Sequence, residues 1–182
     1  MNEHYRNTLQ LARLILQAGG PTQGAGHAAI TSFMVNMNSV FEDFVFASLK
    51  RRLHGTWDVD KVKVPLDVAS PVPTEPDLLF SDRTGTRVLV ADTKYKLTSD
   101  GRGHNADYYQ LLAYCTSLGL PRGVLIYCDI TGDAVAPPRT IKVRNSGTTL
   151  ETFRVRLSGS FTDIAREFDR LVSHLHGDAL LP

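Results

Sequence analysis

The chain has 182 residues, 42% of them apolar, a formal net charge of +1 and two cysteines. That is enough for one domain with a real core. The near-zero charge excludes a global basic field, so any contact with nucleic acid has to be local or lent by a partner. Cys115 and Cys128 are isolated rather than spaced as CxxC, and read as reduced core residues of a cytoplasmic protein. No apolar run approaches the ~20 residues of a membrane span, and the polar start MNEHYRNTLQ is no signal peptide.

In chain order, Leu9, Leu11, Ala12, Ile15 and Leu16 recur at helical spacing, which predicts a helix over Glu3–Ala18 stopped by Gly19-Gly20-Pro21. A Gly/Ala loop follows at 22–29. A second helix is predicted over Asn38–His54, with Gly55 just past its end. Its Val40, Phe41, Phe44, Val45, Phe46, Leu49 and Leu53 fall on more than one side, so it is expected to be well buried. Glu42 shares a stripe with Phe46, Leu49 and Leu53. A carboxylate there is costly unless paired or bound to metal. The pattern leaves both a boundary glutamate paired with Arg or Lys and a metal ligand open. Asp43 shares its stripe with Ala47 and Lys50 and is expected to meet water.

Lys61–Val68 alternates as a strand with Val62, Val64 and Leu66 on one face, and Pro71 and Pro73 break the chain into an extended loop. A hairpin follows over Pro76–Lys96. Asp77 opens its first strand, Asp82-Arg-Thr-Gly is turn chemistry, and Val88, Leu89 and Val90 lead into Asp92-Thr93-Lys94. Side chains two apart on a strand share a face, so Asp92 and Lys94 project together. Pairing Pro76–Phe80 with Arg87–Asp92 brings Asp77 beside them. Two carboxylates and an ammonium suit a divalent cation and a phosphate. The bland alternative is a surface hairpin with an ion pair.

Thr98–His104 is polar and Gly-rich, a connecting loop at the mouth of that hairpin. Asn105 is read as the cap of a helix over Ala106–Leu118, whose core stripe is Tyr108, Leu111, Leu112 and Cys115; Gln110 and Tyr114 lie four apart on a neighbouring stripe. The apolar run Gly123–Cys128 predicts a central strand covered on both faces, reached by a parallel crossover. Thr140–Asn145 and Thr152–Leu157 form a second hairpin. Its even positions, Lys142, Arg144, Arg154 and Arg156, are all basic. They are expected on one face, as phosphate contacts or as charges protecting a solvated edge strand. Ser160 begins the last helix, with Phe161, Ile164, Phe168, Leu171, Val172 and Leu175 as its core stripe. His174 and His176 share no face, and His27, His54 and His104 stand alone; none reads as a zinc ligand. The order predicts a single α/β domain over 1–182, a mixed central β-sheet flanked by helices.

Asp77, then Asp92-Thr93-Lys94, on a hairpin preceded by a helical Glu42 and followed by a crossover helix, resembles the PD-(D/E)XK nuclease superfamily. The blocks NMNSVFEDFVFASL at 36–49, EPDLLF at 75–80, VLVADTKYK at 88–96, ADYYQLLAYC at 106–115 and GVLIY at 123–127 resemble, in order and spacing, the nuclease domain of the McrC family. These are the endonuclease subunits of McrBC modification-dependent restriction systems. The resemblance implies a restriction-endonuclease-like core and Mg²⁺-dependent (or Mn²⁺-dependent) hydrolysis of double-stranded DNA. It implies Asp77 and Asp92 as metal-binding pair, Lys94 as catalytic lysine, and Glu42 as the acidic residue completing the metal shell. It implies a metal ligand in the backbone carbonyl of Thr93. Gln110 resembles the glutamine of RecB-like members that orients the lysine or the substrate, with Tyr114 a weaker candidate on the same helix.

The resemblance also implies a McrB-like AAA+ GTPase partner, engaged through an N-terminal part expected to be absent from this chain. No GxxxxGK[ST] loop occurs in the sequence, so nucleotide hydrolysis is expected of that partner, as is recognition of methylcytosine. Two rival readings remain: a stand-alone RecB-like repair or defence nuclease, and a non-catalytic DNA-binding or assembly module. The intact Asp77, Asp92, Lys94 and Glu42 argue against the second.

Overall fold

A computed structural model of the chain describes residues 36–69, 72–95, 103–129 and 137–177. The predicted first helix, the Gly/Ala loop at 22–29, Lys96 and residues 98–102 lie outside them. The chain divides into two compact units, 1–36 and 37–182, and every described helix and strand belongs to the second.

Helix α1 spans Met37–Leu53. Phe41, Val45, Leu49 and Leu53, each four apart, are at most 2% exposed and make its buried stripe. Gly55 at φ +86° turns the chain out of the helix. The burial is one-sided: Met37, Val40 and Phe44 remain exposed, so the helix is less buried than its apolar residues on more than one side led one to expect.

Six strands form one mixed sheet: β1 (Trp57–Asp60), β4 (Leu78–Asp82), β5 (Arg87–Lys94), β6 (Arg122–Asp129), β7 (Arg139–Lys142) and β8 (Thr149–Arg156). Their order is β1-β4-β5-β6-β8-β7, with β2 (Val64–Pro65) and β3 (Pro73–Thr74) as a separate two-residue ladder. β5 pairs antiparallel with β4 and parallel with β6, and β6 pairs parallel with β8. The link from β5 to β6 runs through α2 (Asn105–Leu118), the expected parallel crossover. Of the predicted strand over 61–68 only the two residues of β2, Val64 and Pro65, are formed. The edge strand beside β4 is β1, where Trp57 packs edge-on against Phe80, while Val62 and Leu66 are exposed. Pro65 lacks an N–H for the sheet, which helps confine β2 to two residues.

Helix α1 and the C-terminal α3 (Phe161–His176) cover one face of the sheet, and α2 covers the other. The first core joins Phe41, Val45, Leu49, Leu78, Phe80, Ala91, Val124, Ile126, Phe153, Phe168 and Leu171. The second joins Leu79, Val90, Leu111, Tyr114, Cys115, Leu125 and Tyr127. Both cysteines are buried and reduced. Helix α3 starts at the predicted Ser160, which caps it reciprocally with Asp163. Phe161, placed on the core stripe by its spacing, is 94% exposed, because the first turn overhangs the packed part of the helix. At the other end, Arg122 grips Glu151 with Nε and Nη2 (3.1 and 2.8 Å) and donates to the carbonyls of His174 and Leu175 (2.7 and 2.6 Å). Burial opposes ionisation of Glu151, but His174 and Arg122 bring its pKa down to about 2. No helix among the described residues is long and apolar enough to cross a membrane.

Candidate active site

The hairpin β4–β5 has the predicted pairing, with Leu78 opposite Ala91 and Phe80 opposite Leu89. Its turn is closed by Asp82, whose carboxylate accepts from the Thr84 and Thr86 amides (2.8 and 3.0 Å), with Gly85 at φ +82°. At the open end Asp77 reaches across to Thr93, whose amide and hydroxyl donate to its Oδ2 at 2.7 and 2.6 Å. Asp92 and Lys94 share the α2-facing side with Val90, as the alternation requires, and form an ion pair.

Asp92 is 2% exposed. Burial, then the charge of Asp77, lifts its pKa well above the ordinary carboxylate range, against the pull of Lys94. Burial opposes the charge on Lys94, but Asp92 holds its pKa up.

Helix α2 fixes the lysine from the far side. Lys94 Nζ donates to Gln110 Oε1 at 2.9 Å, Gln110 Nε2 donates to the Tyr114 hydroxyl at 2.8 Å, and that hydroxyl donates to the Glu75 carbonyl at 3.2 Å. The four-residue spacing of Gln110 and Tyr114 makes this chain possible. Burial, with Asp92 and Asp77, pushes Tyr114 up to about 12, so it remains a neutral donor.

A cavity of about 330 Å³ opens over this cluster, lined by Asn38, Glu42, Asp77, Thr93, Lys94, Tyr95, His104 and Asp107. Glu42 thus joins Asp77 and Lys94 at one cavity, although it sits on the flank of α1, with its side chain 30% exposed. There it takes the boundary role: Lys61 Nζ donates to Glu42 Oε1 at 2.7 Å and to Asp43 Oδ1 at 2.8 Å. Six residues at the site were not candidates from the sequence: Asn38 and Tyr95 of the cavity lining, with Lys61, His104, Asp107 and Tyr127. Lys61 comes from the segment expected to be a strand. His104, not Asn105, caps α2, and its amide donates to Asp107 Oδ2 at 3.4 Å. Tyr127 donates its hydroxyl to the same oxygen at 2.9 Å. The only local signal for Asp107 is its place one turn before Gln110 and on the same side of the helix.

As the side chains stand, no three His, Cys, Asp or Glu side chains among the described residues converge on one ion position. Lysines hold the carboxylates instead, Lys94 on Asp92 and Lys61 on Glu42. The donor chemistry nevertheless fits a hard divalent cation. Asp77, Asp92, Glu42 and the Thr93 carbonyl are all oxygen donors, and the Asp77–Asp92 repulsion, which adds to burial in raising the Asp92 pKa, is what such a cation relieves.

The basic hairpin departs from expectation. Lys142 pairs with Thr149 and Arg139 with Thr152, so Lys142 lies on the face of Glu151 and Phe153, opposite to Arg154 and Arg156. Arg144 lies beyond β7, in the turn. The four do not share a face, because even numbers on paired antiparallel strands do so only when the register pairs even with even. Arg154 and Arg156 share the side of Asp92 and Lys94.

The profile of a family described as "McrBC 5-methylcytosine restriction system component" matches residues 1–128. Among solved structures, the chain is similar to one in the "Refined half-complex from tetradecameric assembly of Thermococcus gammatolerans McrB AAA+ hexamers with bound McrC". The TM-score is 0.65 and the identity 16%, over 96% of this chain and 39% of that one. At that identity the likeness concerns the fold, and this chain spans well under half of that chain. No curated protein sequence matches it.

Proposed function

Starting from the fact that this chain belongs to the McrBC 5-methylcytosine restriction system component family, we propose that its α/β unit is a DNA-cutting centre, a Mg²⁺-dependent endonuclease built on the β4–β5 hairpin. The observation that carries this reading is the placement of Lys94 between Asp92 and Gln110, at a cavity that Asp77 and Glu42 also line. A lone surface ion pair would have no reason to be anchored by a helix through two further side chains.

Asp77, Asp92 and the Thr93 carbonyl would hold Mg²⁺ or Mn²⁺, with Glu42 joining on leaving Lys61. Such an ion polarises a phosphoryl oxygen and acidifies a bound water. Lys94 would position the attacking water at the phosphorus and offset the charge that grows on the phosphoryl oxygens. Gln110, itself held by Tyr114, would keep the ammonium in place with Asp92 serving as a metal ligand. The reaction forms one bond from water oxygen to phosphorus and breaks one phosphorus–oxygen ester bond. Choice of site belongs to a partner, which for this family reading is a McrB-like AAA+ GTPase.

A plasmid-nicking assay with Mg²⁺ or Mn²⁺ tests the proposal. Asp92→Ala and Lys94→Ala are expected to lose at least a hundredfold in nicking rate while keeping the wild-type circular dichroism spectrum. Undiminished cutting by purified Asp92→Ala protein would falsify it.

A further inference from the structure

We propose that Arg154, and not the basic hairpin as a whole, holds a DNA backbone phosphate two to three nucleotides from the one cut, so that the substrate strand crosses the carboxyl ends of β5, β6 and β8. The inference rests on the nuclease reading and adds a path for the substrate. Lys94 is in register with Tyr127, and Tyr127 with Arg154. Paired residues of parallel strands project to one face, so lysine, tyrosine and arginine form a row on the side facing α2. Strands lie ~4.8 Å apart, which sets the α-carbons of Lys94 and Arg154 about 10 Å from each other. DNA advances about 3.4 Å per nucleotide along each strand, so that gap is two to three nucleotides of axial rise. Ligands of open α/β sheets bind at the carboxyl ends of parallel strands, where this row lies. Tyr127, between the two cations, is neutral and has its hydroxyl committed to Asp107.

The arginines of this sheet are held in two different ways. Arg122 grips Glu151 bidentately at 2.8 and 3.1 Å, as a structural arginine does. Arg154 Nε stands 3.7 Å from Asp129, too far for a hydrogen bond, with the side chain 20% exposed. A guanidinium has five donors in a fork that matches a phosphate, and this one is balanced by a carboxylate without being locked to it. Lys142 lies on the opposite face and cannot serve the same strand.

The test is equilibrium binding of a short fluorescent DNA duplex to the Asp92→Ala protein, in which cutting is expected to be lost, in Mg²⁺ across a salt series. Arg154→Ala in that background is expected to weaken binding about tenfold and to flatten the dependence of log K on log salt by about one. Arg154→Lys keeps most of the slope, and Lys142→Ala changes nothing. Asp129→Asn is expected to tighten binding, because it removes the anion that competes with phosphate. That sign separates the proposal from a purely structural ion pair, in which losing either partner weakens binding through the fold. Thermal melts of each variant accompany the titrations. Should Arg154→Ala fail to fold, Asp129→Asn and Arg154→Lys decide the matter. An unchanged slope for Arg154→Ala, or weaker binding by Asp129→Asn, overturns the assignment. If the Asp92→Ala protein itself binds no duplex and the wild type nicks none, the nuclease reading falls instead.

Discussion

Asp92 sits 2% exposed beside a second carboxylate, and the cost of that position is visible in its raised pKa. A carboxylate whose folded pKa is raised binds its proton more tightly in the folded state. Its contribution is therefore fully present below the ordinary carboxylate range and lost as pH rises through the raised value. Metal-free protein should lose stability between about pH 4 and pH 7, and Asp92→Asn should flatten that fall; at about 1.4 kcal/mol per pKa unit the difference amounts to several degrees in Tm. Thermal melts in EDTA across that range check this, and equal slopes for the two proteins would exclude Asp92 as the cause. Mg²⁺ competes with the proton, so the Tm gain from added Mg²⁺ should grow with pH. At this scale the sequence was a good guide where a spacing rule sufficed. Two apart on a strand gave Asp92 with Lys94, and four apart on a helix gave Gln110 with Tyr114. Lys61, Asp107 and Tyr127 escaped it because packing between distant segments brings them to the site.

Helix α2 positions Gln110, and it lies close on the sheet because β6 carries a glycine where the two meet. A Cβ on Gly123 would stand 2.6 Å from Cys115 Sγ and 2.9 Å from Leu111 Cγ. Gly123→Ala is therefore expected to cost about 1–3 kcal/mol by overpacking and to push α2 off the sheet, slowing nicking without touching a site residue. A urea melt and the nicking assay on one preparation test both halves; normal stability and normal nicking would exclude so close a contact. The elements themselves were legible from periodicity wherever a stripe or an unbroken apolar run was long, as in α3 and β6. Lys61–Val68 misled because alternation alone does not guarantee a neighbour strand, and the hydrogen-bonding partner went to Trp57–Asp60. The basic hairpin misled for a related reason: which faces coincide depends on register, set by turn length, which numbering along one strand does not contain.

The whole molecule carries a net charge of only +1. A strand of DNA held by one lysine, a metal ion and a local arginine is held weakly and mostly by charge. Nicking by this chain alone is expected to be slow and to fall at least tenfold between about 50 and 200 mM salt. Adding a cognate AAA+ partner with GTP should raise it. Fast cutting by the chain alone, indifferent to salt, would favour a self-sufficient nuclease over a partner-driven one.

Arg122 ties the first residue of β6 to the carbonyls of His174 and Leu175, 52 and 53 residues further along the chain. A helix end normally frays on its own, because its last carbonyls have no partner within the helix. Here they are held by the central strand, so the last turn of α3 can open only when the sheet opens with it. Its amide protons should then exchange with deuterium as slowly as those of β6, on the timescale of global unfolding. Arg122→Ala should release them to exchange by local fraying while the amides of β6 keep their protection. The last turn of α3 thereby belongs to the slowest-opening part of the protein.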